Sequence, residues 1–224
     1  MAAWLGLGLI IFPYAVHARV GETQEAIEHR LLQPGLGKLY PRLADSPKDN
    51  NKDSPKDNNK DGNRERPKKK DEDPLADIRP FLPGDTHEMF YWKSAVANQL
   101  SNETGWKIDV LYFNGHSALE AYKRVGDTLS EFEIRGILSV NRGASSWKKI
   151  VSDGVGVSGI GYDYQLEDGS MRAKLQDNWI IVFSTKLDNY IVQQQQSAKA
   201  ANDLLQEQQK RQQALKAPES ISGF

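Results

Sequence analysis

Residues 160–184, IGYDYQLEDGSMRAKLQDNWIIVFS, constrain the fold more than any other part of the chain. They read as three strands joined by two tight turns, at Asp168-Gly169 and at Asp177-Asn178. A single register places the apolar residues of both hairpins on one face, which a random sequence rarely allows. The predicted pairs are Leu166 with Met171, Tyr164 with Ala173, Tyr162 with Leu175, Ala173 with Val182 and Leu175 with Ile180, and the other face pairs Asp163 with Lys174. We therefore predict a β-meander whose second face, with Ile181 and Phe183, is covered too.

A capped helix is predicted upstream of the meander. Ser130 and Glu133 stand three positions apart, as the N-cap and N3 residues of a capping box do. Leu129 and Ile134 are spaced for a hydrophobic staple at the same end, and Gly143 is suited to terminate the helix. The buried side of the helix is predicted to carry Phe132, Ile137 and Leu138.

A hairpin is the favoured interpretation of residues 106–125. Alternating apolar residues precede Asn114-Gly115, which is a strong signal for a two-residue turn. A regular two-residue turn would set Asp109 directly opposite Glu120, and like charges in that position repel. The alternatives are therefore a longer loop, or a short helix capped by Ser117.

Together these segments predict an α+β protein. A small antiparallel sheet, formed by the meander at 160–184 and the hairpin at 106–125, would pack with helices and be followed by a long C-terminal helix. The stretch EMFYWKS at 88–94 is predicted to be another strand, with a helix as its alternative. The folded α+β domain is predicted to span residues 74–192.

The first 18 residues read as an export signal. They contain no charged residue, and their apolar run is too short for a membrane-spanning helix, which needs about 20 residues. Small residues precede a possible cleavage point between Ala18 and Arg19. No basic residue lies upstream of the run, so an uncleaved anchor and a cytoplasmic chain are the alternatives. We expect a secreted or periplasmic protein with no membrane span after cleavage.

Composition divides the next part of the chain. Residues 19–44 form an N-terminal segment with a helical pattern that puts Ala26, Ile27 and Leu31 on one side. Residues 45–73 contain nine acidic and nine basic residues and no apolar side chain outside proline. Such a segment cannot bury enough surface to offset the entropy lost on ordering. We therefore predict a disordered charged linker over 45–73.

The linker contains a tandem repeat of an eight-residue unit within 45–60. Where the second copy ends, Asp57, Asn59 and Asp61 match the first ligand positions of an EF-hand calcium loop. Lys68 occupies the last ligand position, which needs a bidentate carboxylate. A charge-balanced tether is therefore predicted here, and no metal site.

Residues 193–224 are predicted to form a Gln-rich helical tail with a frayed end. A 4-3 spacing, typical of a coiled-coil seam, is followed by Leu187, Ile191, Ala198, Ala201, Leu205 and Leu215. Glutamines at 194, 208 and 212 interrupt it. The favoured interpretation is a solvated helix that continues from the sheet, and a weak coiled coil or partner-binding helix is the alternative. The chain would then be a monomer or a weak helix-mediated oligomer.

Composition also excludes several classes of function. The chain has no cysteine, which rules out disulfides, thiolate zinc sites, iron–sulfur clusters and cysteine nucleophiles. Its 29 lysines and arginines balance 30 acidic residues, so the net charge gives no basis for nucleic-acid binding. The segment GVGVSG at 154–159 fits G-x-G-x-x-G, but a meander follows it where a phosphate-binding turn would open a helix. We expect no cofactor.

One group of side chains could support catalysis. His116 could share a strand face with Asp109 and Glu120, an arrangement suited to acid–base chemistry. A polar group beside the turn is the simpler interpretation of His116. The sequence therefore predicts a binding or structural module with a protein or envelope partner, and a small hydrolase that uses these three residues is the alternative.

The order of elements resembles small periplasmic α+β modules such as the outer-membrane barrel-assembly accessory lipoproteins. The segments that carry this resemblance are RVGETQEAIEHRL, as a helix at the start of the mature chain, and VLYFNGHS, as a hairpin. The lipid-bearing cysteine of those proteins is absent, and the linker has no counterpart in them. No functional residue is transferred from the resemblance.

Overall fold

In the computed structural model, the predicted α+β fold is confirmed, and the described residues form an antiparallel sheet of eight strands and three α-helices. The structure describes residues 19–32, 37–39, 73–94, 104–151 and 156–215. The strands are β1 (Gly37–Leu39), β2 (His87–Lys93), β3 (Gly105–Phe113), β4 (His116–Val125), β5 (Trp147–Lys149), β6 (Tyr164–Leu166), β7 (Met171–Gln176) and β8 (Trp179–Ser184). The helices are α1 (Gln24–Leu31), α2 (Glu131–Val140) and α3 (Thr185–Leu215). The predicted export signal and most of the predicted linker lie outside the described residues.

The sheet has the same topology when followed from either edge to its centre. Its strand order is β1-β2-β3-β4-β8-β7-β6-β5. In each half a helix precedes four consecutive strands, α1 before β1 to β4 and α2 before β5 to β8. The halves meet where β4 pairs with β8, from Leu119 opposite Phe183 to Lys123 opposite Trp179. In the described residues, two α-β-β-β-β halves are therefore joined by an antiparallel seam, and α3 follows the second half.

Both faces of the sheet are covered. On one face, called the α1–α2 face, Ile27 of α1 and Ile137 of α2 belong to one buried cluster with Ile180 of β8. On the other, called the α3 face, the first turns of α3 pack through Leu187 and Ile191 against residues that include Ile181 and Phe183. The prediction that the second face of the meander is covered is confirmed, and α3 is the helix that covers it.

The meander has its predicted register over most of its length. Ala173 lies opposite Tyr164 on one side and opposite Val182 on the other. The prediction for Tyr162 was wrong, because β6 begins only at Tyr164. Tyr162 packs on the α3 face, whereas Tyr164 packs on the α1–α2 face.

The predicted hairpin forms across Asn114-Gly115, and residues 88–94 and 117–125 lie mostly in strands. Both turn residues have positive φ, 52° and 75°, as a two-residue hairpin turn requires. A β-bulge close to the turn then shifts the register by one residue. Asp109 therefore lies opposite Ala121 and Glu120 opposite Val110, which removes the expected clash of like charges without a longer loop.

Two residues predicted to be buried are exposed. Phe132 is 86% exposed on α2, whereas Ile137 and Leu138 are buried. Ala26 is exposed on α1, where Ile27 and Leu31 are buried. In both helices the exposed residue lies about 100° or more around the helix from each of the buried residues.

The long helix α3 begins in the core and leaves it. Ile191 is fully buried, but every residue from 196 to 213 is exposed. At 1.5 Å per residue this exposed part is about 27 Å long. In the described residues, no helix has both the length and the apolar character that crossing a membrane requires.

Candidate ligand-binding cleft

A cleft of about 380 Å³ opens between the C-terminal half of α2 and the strands β5 and β6. This volume lies within the usual range of ligand sites. The cleft is lined by Arg135, Leu138, Ser139, Arg142, Ser146, Trp147, Lys149 and Tyr164. It therefore combines three cationic side chains with two aromatic rings, and none of these lining residues carries a carboxylate.

Local hydrogen bonds cap α2 at both ends. At its start, the predicted capping box is present: the backbone N–H of Glu133 donates to Ser130 Oγ at 3.3 Å, and that of Ser130 donates to the Glu133 carboxylate at 2.9 Å. At its end, the buried side chain of Asn141 donates from Nδ2 to the carbonyl oxygen of Ile137 at 3.0 Å. Both helix ends are therefore defined, with Arg135 inside α2 and Arg142 just beyond its C-cap residue Asn141.

The indole of Trp147 ties the strand side of the cleft to the helix. Its Nε1 donates to the carbonyl oxygen of Leu138 at 2.6 Å. Lys149 pairs with Tyr164 of β6, so their side chains share one face of the sheet. Trp147 lies two residues before Lys149 and therefore faces the same side. The cleft thus has an aromatic and cationic wall opposite Arg135 of α2 and Arg142, which follows the helix.

The positive charge of the cleft is only weakly compensated. Arg135 forms an ion pair with Glu131 at 2.8 Å, but the two side chains are 77% and 85% exposed. Ion pairs between exposed side chains of this kind are weak and contribute little to stability. Within the described part of the chain, Arg142 and Lys149 form no ion pair. A cleft with one sign of charge attracts ligands of the other sign, so this one is suited to anions.

The structure does not bring together the three residues that the sequence offered for catalysis. Asp109 and Glu120 project from opposite faces of the sheet, because Glu120 pairs with Val110, the neighbour of Asp109. His116 is exposed at the hairpin turn, where its Nδ1 lies 3.0 Å from the carbonyl oxygen of Asn114. The expected shared face does not exist, and the bulge is the reason.

Glu120 is fully buried on the α1–α2 face. The hydroxyl of Tyr122 donates to its Oε2, and its Oε1 has no hydrogen-bond partner among the described residues. Burial raises the pKa of Glu120 to about 7, against the opposing effects of Tyr122, Ser117 and the charge of Arg30. A carboxylate enclosed in this way cannot reach an external substrate.

Asp109 lies on the α3 face in an ionic network. Burial raises the pKa of Asp109 to about 8, and the carboxylates of Asp73 and Glu88 raise it further. Arg79 bonds to both of these carboxylates, with its Nε 2.9 Å from Glu88 Oε1. The network joins the segment before β2 to the sheet, which is a structural role.

The described part of the G-x-G-x-x-G segment, residues 156–159, docks against α3. Asp188 of α3 is fully buried and accepts hydrogen bonds from Ser158 Oγ at 2.9 Å and from the backbone N–H of Gly159 at 2.9 Å. Arg172 pairs with the same carboxylate. A Cβ on Gly159 would lie 2.5 Å from Cγ2 of Ile191. Gly159 is needed for this close approach, and the hydroxyl of Ser158 and the N–H of Gly159 are already bonded to Asp188.

The calcium-loop match at Asp57, Asn59 and Asp61 lies outside the described residues. Within them, no group of three or more His, Asp or Glu side chains is placed to hold a metal ion.

Sequence reasoning missed the cleft, although one signal for it was available. Arg135 and Arg142 are seven positions apart, which puts them on the same side of a helix two turns apart. The stretch Trp147-Lys148-Lys149 follows shortly after. Basic residues on one helix side, followed by an aromatic and basic strand, could have been interpreted as one cationic surface.

Comparisons of the chain with protein-family models, with curated proteins and with solved structures each found no match. The resemblance of its element order to the barrel-assembly accessory lipoproteins therefore has no matching sequence or structure to support it.

Proposed function

We propose that the chain is an exported binding module that holds an anionic partner in the cleft between α2 and β5. The proposal rests on the lining of the cleft, which contains three cationic side chains and two aromatic rings and no carboxylate. The guanidinium groups of Arg135 and Arg142 have the fork of donors that matches a carboxylate or phosphate. The rings of Trp147 and Tyr164 offer flat apolar contact beside them.

A binding role agrees better with the site geometry than hydrolysis does. The hydrolase alternative needs His116, Asp109 and Glu120 within hydrogen-bond reach of one another. They lie on an exposed turn and on two opposite faces of the sheet. The cleft itself contains no paired nucleophile and base of the usual kind, since its hydroxyls stand among cations with no histidine or carboxylate in the lining.

Export is supported by the residues that follow the predicted cleavage point. The carbonyl oxygen of Arg19 accepts a hydrogen bond from Ser117 Oγ at 2.9 Å, and the backbone N–H of Val20 donates to Asn141 Oδ1 at 3.0 Å. Arg19 and Val20, the first two residues after the predicted cleavage point, are thus bonded to β4 and to the end of α2. Sequencing the amino terminus of the protein recovered from the cell envelope or medium should give Arg19 as its first residue. Recovery in the cytoplasm with residues 1–18 retained would contradict export.

The binding proposal is tested with a double substitution in the cleft. In Arg142→Ala/Lys149→Ala the affinity for polyglutamate, measured by calorimetry, should fall at least about tenfold, because each charge-assisted contact is worth about 1.5–3 kcal/mol. The matched control is Lys199→Ala/Lys210→Ala on the exposed part of α3, which removes the same charge. If the control loses as much affinity as the cleft variant, the binding is non-specific attraction and the cleft is not the site.

A further inference from the structure

The strand that forms one wall of the cleft is also an edge of the sheet. In the described chain β5 pairs only with β6. The carbonyl oxygen of Ser146 accepts from the N–H of Glu167 at 2.9 Å, and the N–H of Ile150 donates to Asp163 at 2.8 Å. In an antiparallel ladder these bonds alternate along the strand. The backbone N–H and C=O of Trp147 and Lys149 therefore point outward from the sheet.

The same two residues direct their side chains into the cleft. In an antiparallel pair, residues that are directly opposite each other have side chains on the same face. A strand that paired with the outward groups of Trp147 and Lys149 would therefore place every second side chain on the cleft side of the sheet. Arg135 and Arg142 line the cleft on that side. Backbone pairing at the edge and charge pairing in the cleft are thus available to one ligand at once.

We propose that the partner is an extended acidic peptide segment that adds to β5 as an antiparallel strand and sets alternate carboxylates in the cleft. This inference rests on the proposed function and narrows its ligand to a polypeptide. Strand addition obtains its affinity from main-chain hydrogen bonds and its specificity from alternate side chains. Only a polypeptide supplies both kinds of contact.

The charge of the edge selects between possible strands. A second copy of the chain that paired through β5 would bring Lys148 and Lys149 close to the same residues of its partner, and like charges across a pair repel. Lysine on a short edge strand is a common protection against such self-pairing. The same lysines attract a strand that carries carboxylates, so the edge excludes copies of itself and accepts an acidic segment.

The test uses the full chain and an acetylated, amidated peptide of four Glu-Thr repeats. The glutamates that enter the cleft are the residues that bond to β5, because opposite residues share a face. Methylation of the glutamate backbone nitrogens should therefore weaken binding at least about tenfold, whereas methylation of the threonine nitrogens should leave it within about twofold. The two methylated peptides have the same charge. A polyuronate of equal charge should bind at least about tenfold more weakly than the unmethylated peptide.

A matched pair of protein variants tests the same bond from the other side. Lys149→Ala removes the charge alone, while Lys149→Pro also removes the outward N–H at a position where an edge strand tolerates proline. We expect Lys149→Pro to bind at least about tenfold more weakly than Lys149→Ala, with both variants showing the thermal midpoint of the parent protein within a few degrees.

The outcomes separate the two proposals. Any one of three results overturns strand addition: equal peptide affinity of Lys149→Pro and Lys149→Ala, equal affinity of the two methylated peptides, or a polyuronate affinity equal to that of the unmethylated peptide. The cleft would then still stand as an anion site. Unchanged affinity in Arg142→Ala/Lys149→Ala overturns the cleft itself. Protection of the Trp147 and Lys149 amides from hydrogen exchange when the peptide is added supports strand addition directly.

Discussion

Glu120 places a carboxylate at the centre of the α1–α2 face, where it is fully buried. A buried carboxyl group is more stable in its neutral form, and hydrogen bonding to Tyr122 satisfies only one of its two oxygens. Its pKa is about 7 in the folded chain, against an ordinary value of 4.5. The folded protein therefore holds a proton at Glu120 that the unfolded chain has released between these two pH values.

The sign of the pH dependence follows from that difference. Between pH 4.5 and pH 7 the folded state binds more protons than the unfolded state, so the contribution of Glu120 to the free energy of unfolding falls as the pH rises. At about 1.4 kcal/mol per pKa unit, the full loss is about 3 kcal/mol, and it is complete above pH 7. Glu120→Gln, which stays neutral, should lose this dependence. Urea unfolding at pH 5 and pH 8 should show the variant more stable than the parent only at pH 8. If the free energy of unfolding of the variant depends on pH as strongly as that of the parent, Glu120 is not the group responsible.

Gly159 is held close to α3, and its substitution has a matched control. In Gly159→Ala the new Cβ would lie 2.5 Å from Ile191 Cγ2, so the loop or the helix must shift. We expect the free energy of unfolding to fall by about 1–3 kcal/mol, as overpacking usually costs. Gly136, inside α2, has no atom within 4 Å of the added Cβ. Gly136→Ala should raise stability by up to about 1 kcal/mol through helix propensity. Thermal unfolding of both variants measures the contrast, and equal effects would contradict it.

At the scale of single elements, the sequence predicted what depends on local interactions. The capping box of α2 and the register of the meander follow from residues a few positions apart, and both are present. The shift of Glu120 to the α1–α2 face depends on a bulge, which no short pattern in the sequence signals. The strands β1 and β5 contain three residues each, too few for a recognisable alternation. The missed strands β1 and β5 and the error in the register of the β3–β4 hairpin have one cause. Both depend on pairing that is completed by the rest of the sheet.

The exposed part of α3 is an element that contributes little to the folding of the domain. Gln195 donates from Nε2 to the carbonyl oxygen of Gly159 at 3.1 Å, and beyond it residues 196–213 are all exposed. A chain that ends at Gln195 should therefore have the same free energy of unfolding as the full chain, within about 0.5 kcal/mol. Urea unfolding of the two chains measures the difference.

The same shortened chain tests self-association through α3. Since glutamines interrupt the apolar seam and the exposed Leu204 and Leu205 stand alone on this part of the helix, we expect both chains to sediment as monomers at micromolar concentration. A full chain with twice the monomer mass beside a monomeric shortened chain would show that α3 forms an interface between copies.

At the scale of the whole molecule, the cleft is a product of tertiary structure. Arg135 belongs to α2 and Arg142 lies just after it, whereas Trp147 and Lys149 belong to an edge strand, and they meet because α2 packs on the face of β5 and β6. The sequence showed the individual residues, but it did not predict β5 or the side of the sheet on which α2 lies. The three catalytic candidates show the opposite case, in which a site was predicted and the fold does not form it. They were expected to lie close together on two neighbouring strands, but the bulge places the two carboxylates on different faces of the sheet.

The two halves of the chain share their cores, and this decides how the molecule unfolds. The buried cluster of the α1–α2 face contains Ile27 and Tyr91 from the first half and Ile137 and Ala173 from the second. Ile180 of β8 belongs to the same cluster and lies opposite Tyr122 across the seam. Because the contacts of this cluster cross the seam, neither half can unfold without exposing apolar surface of the other. The unfolding of the two halves is therefore coupled.

Ile180→Ala tests this coupling. Removing a fully buried isoleucine should lower the free energy of unfolding by about 2–5 kcal/mol. If the halves unfold as one unit, the slowest-exchanging amides of β2 and β3 should lose the same amount of protection from hydrogen exchange as those of β6 and β7. Leu175→Ala is the control, since Leu175 lies opposite Ile180 in the same hairpin but is 37% exposed, and its effect should stay below about 1 kcal/mol. Loss of protection confined to β6 and β7 would show that the two halves are independent folding units joined only by the pairing of β4 with β8.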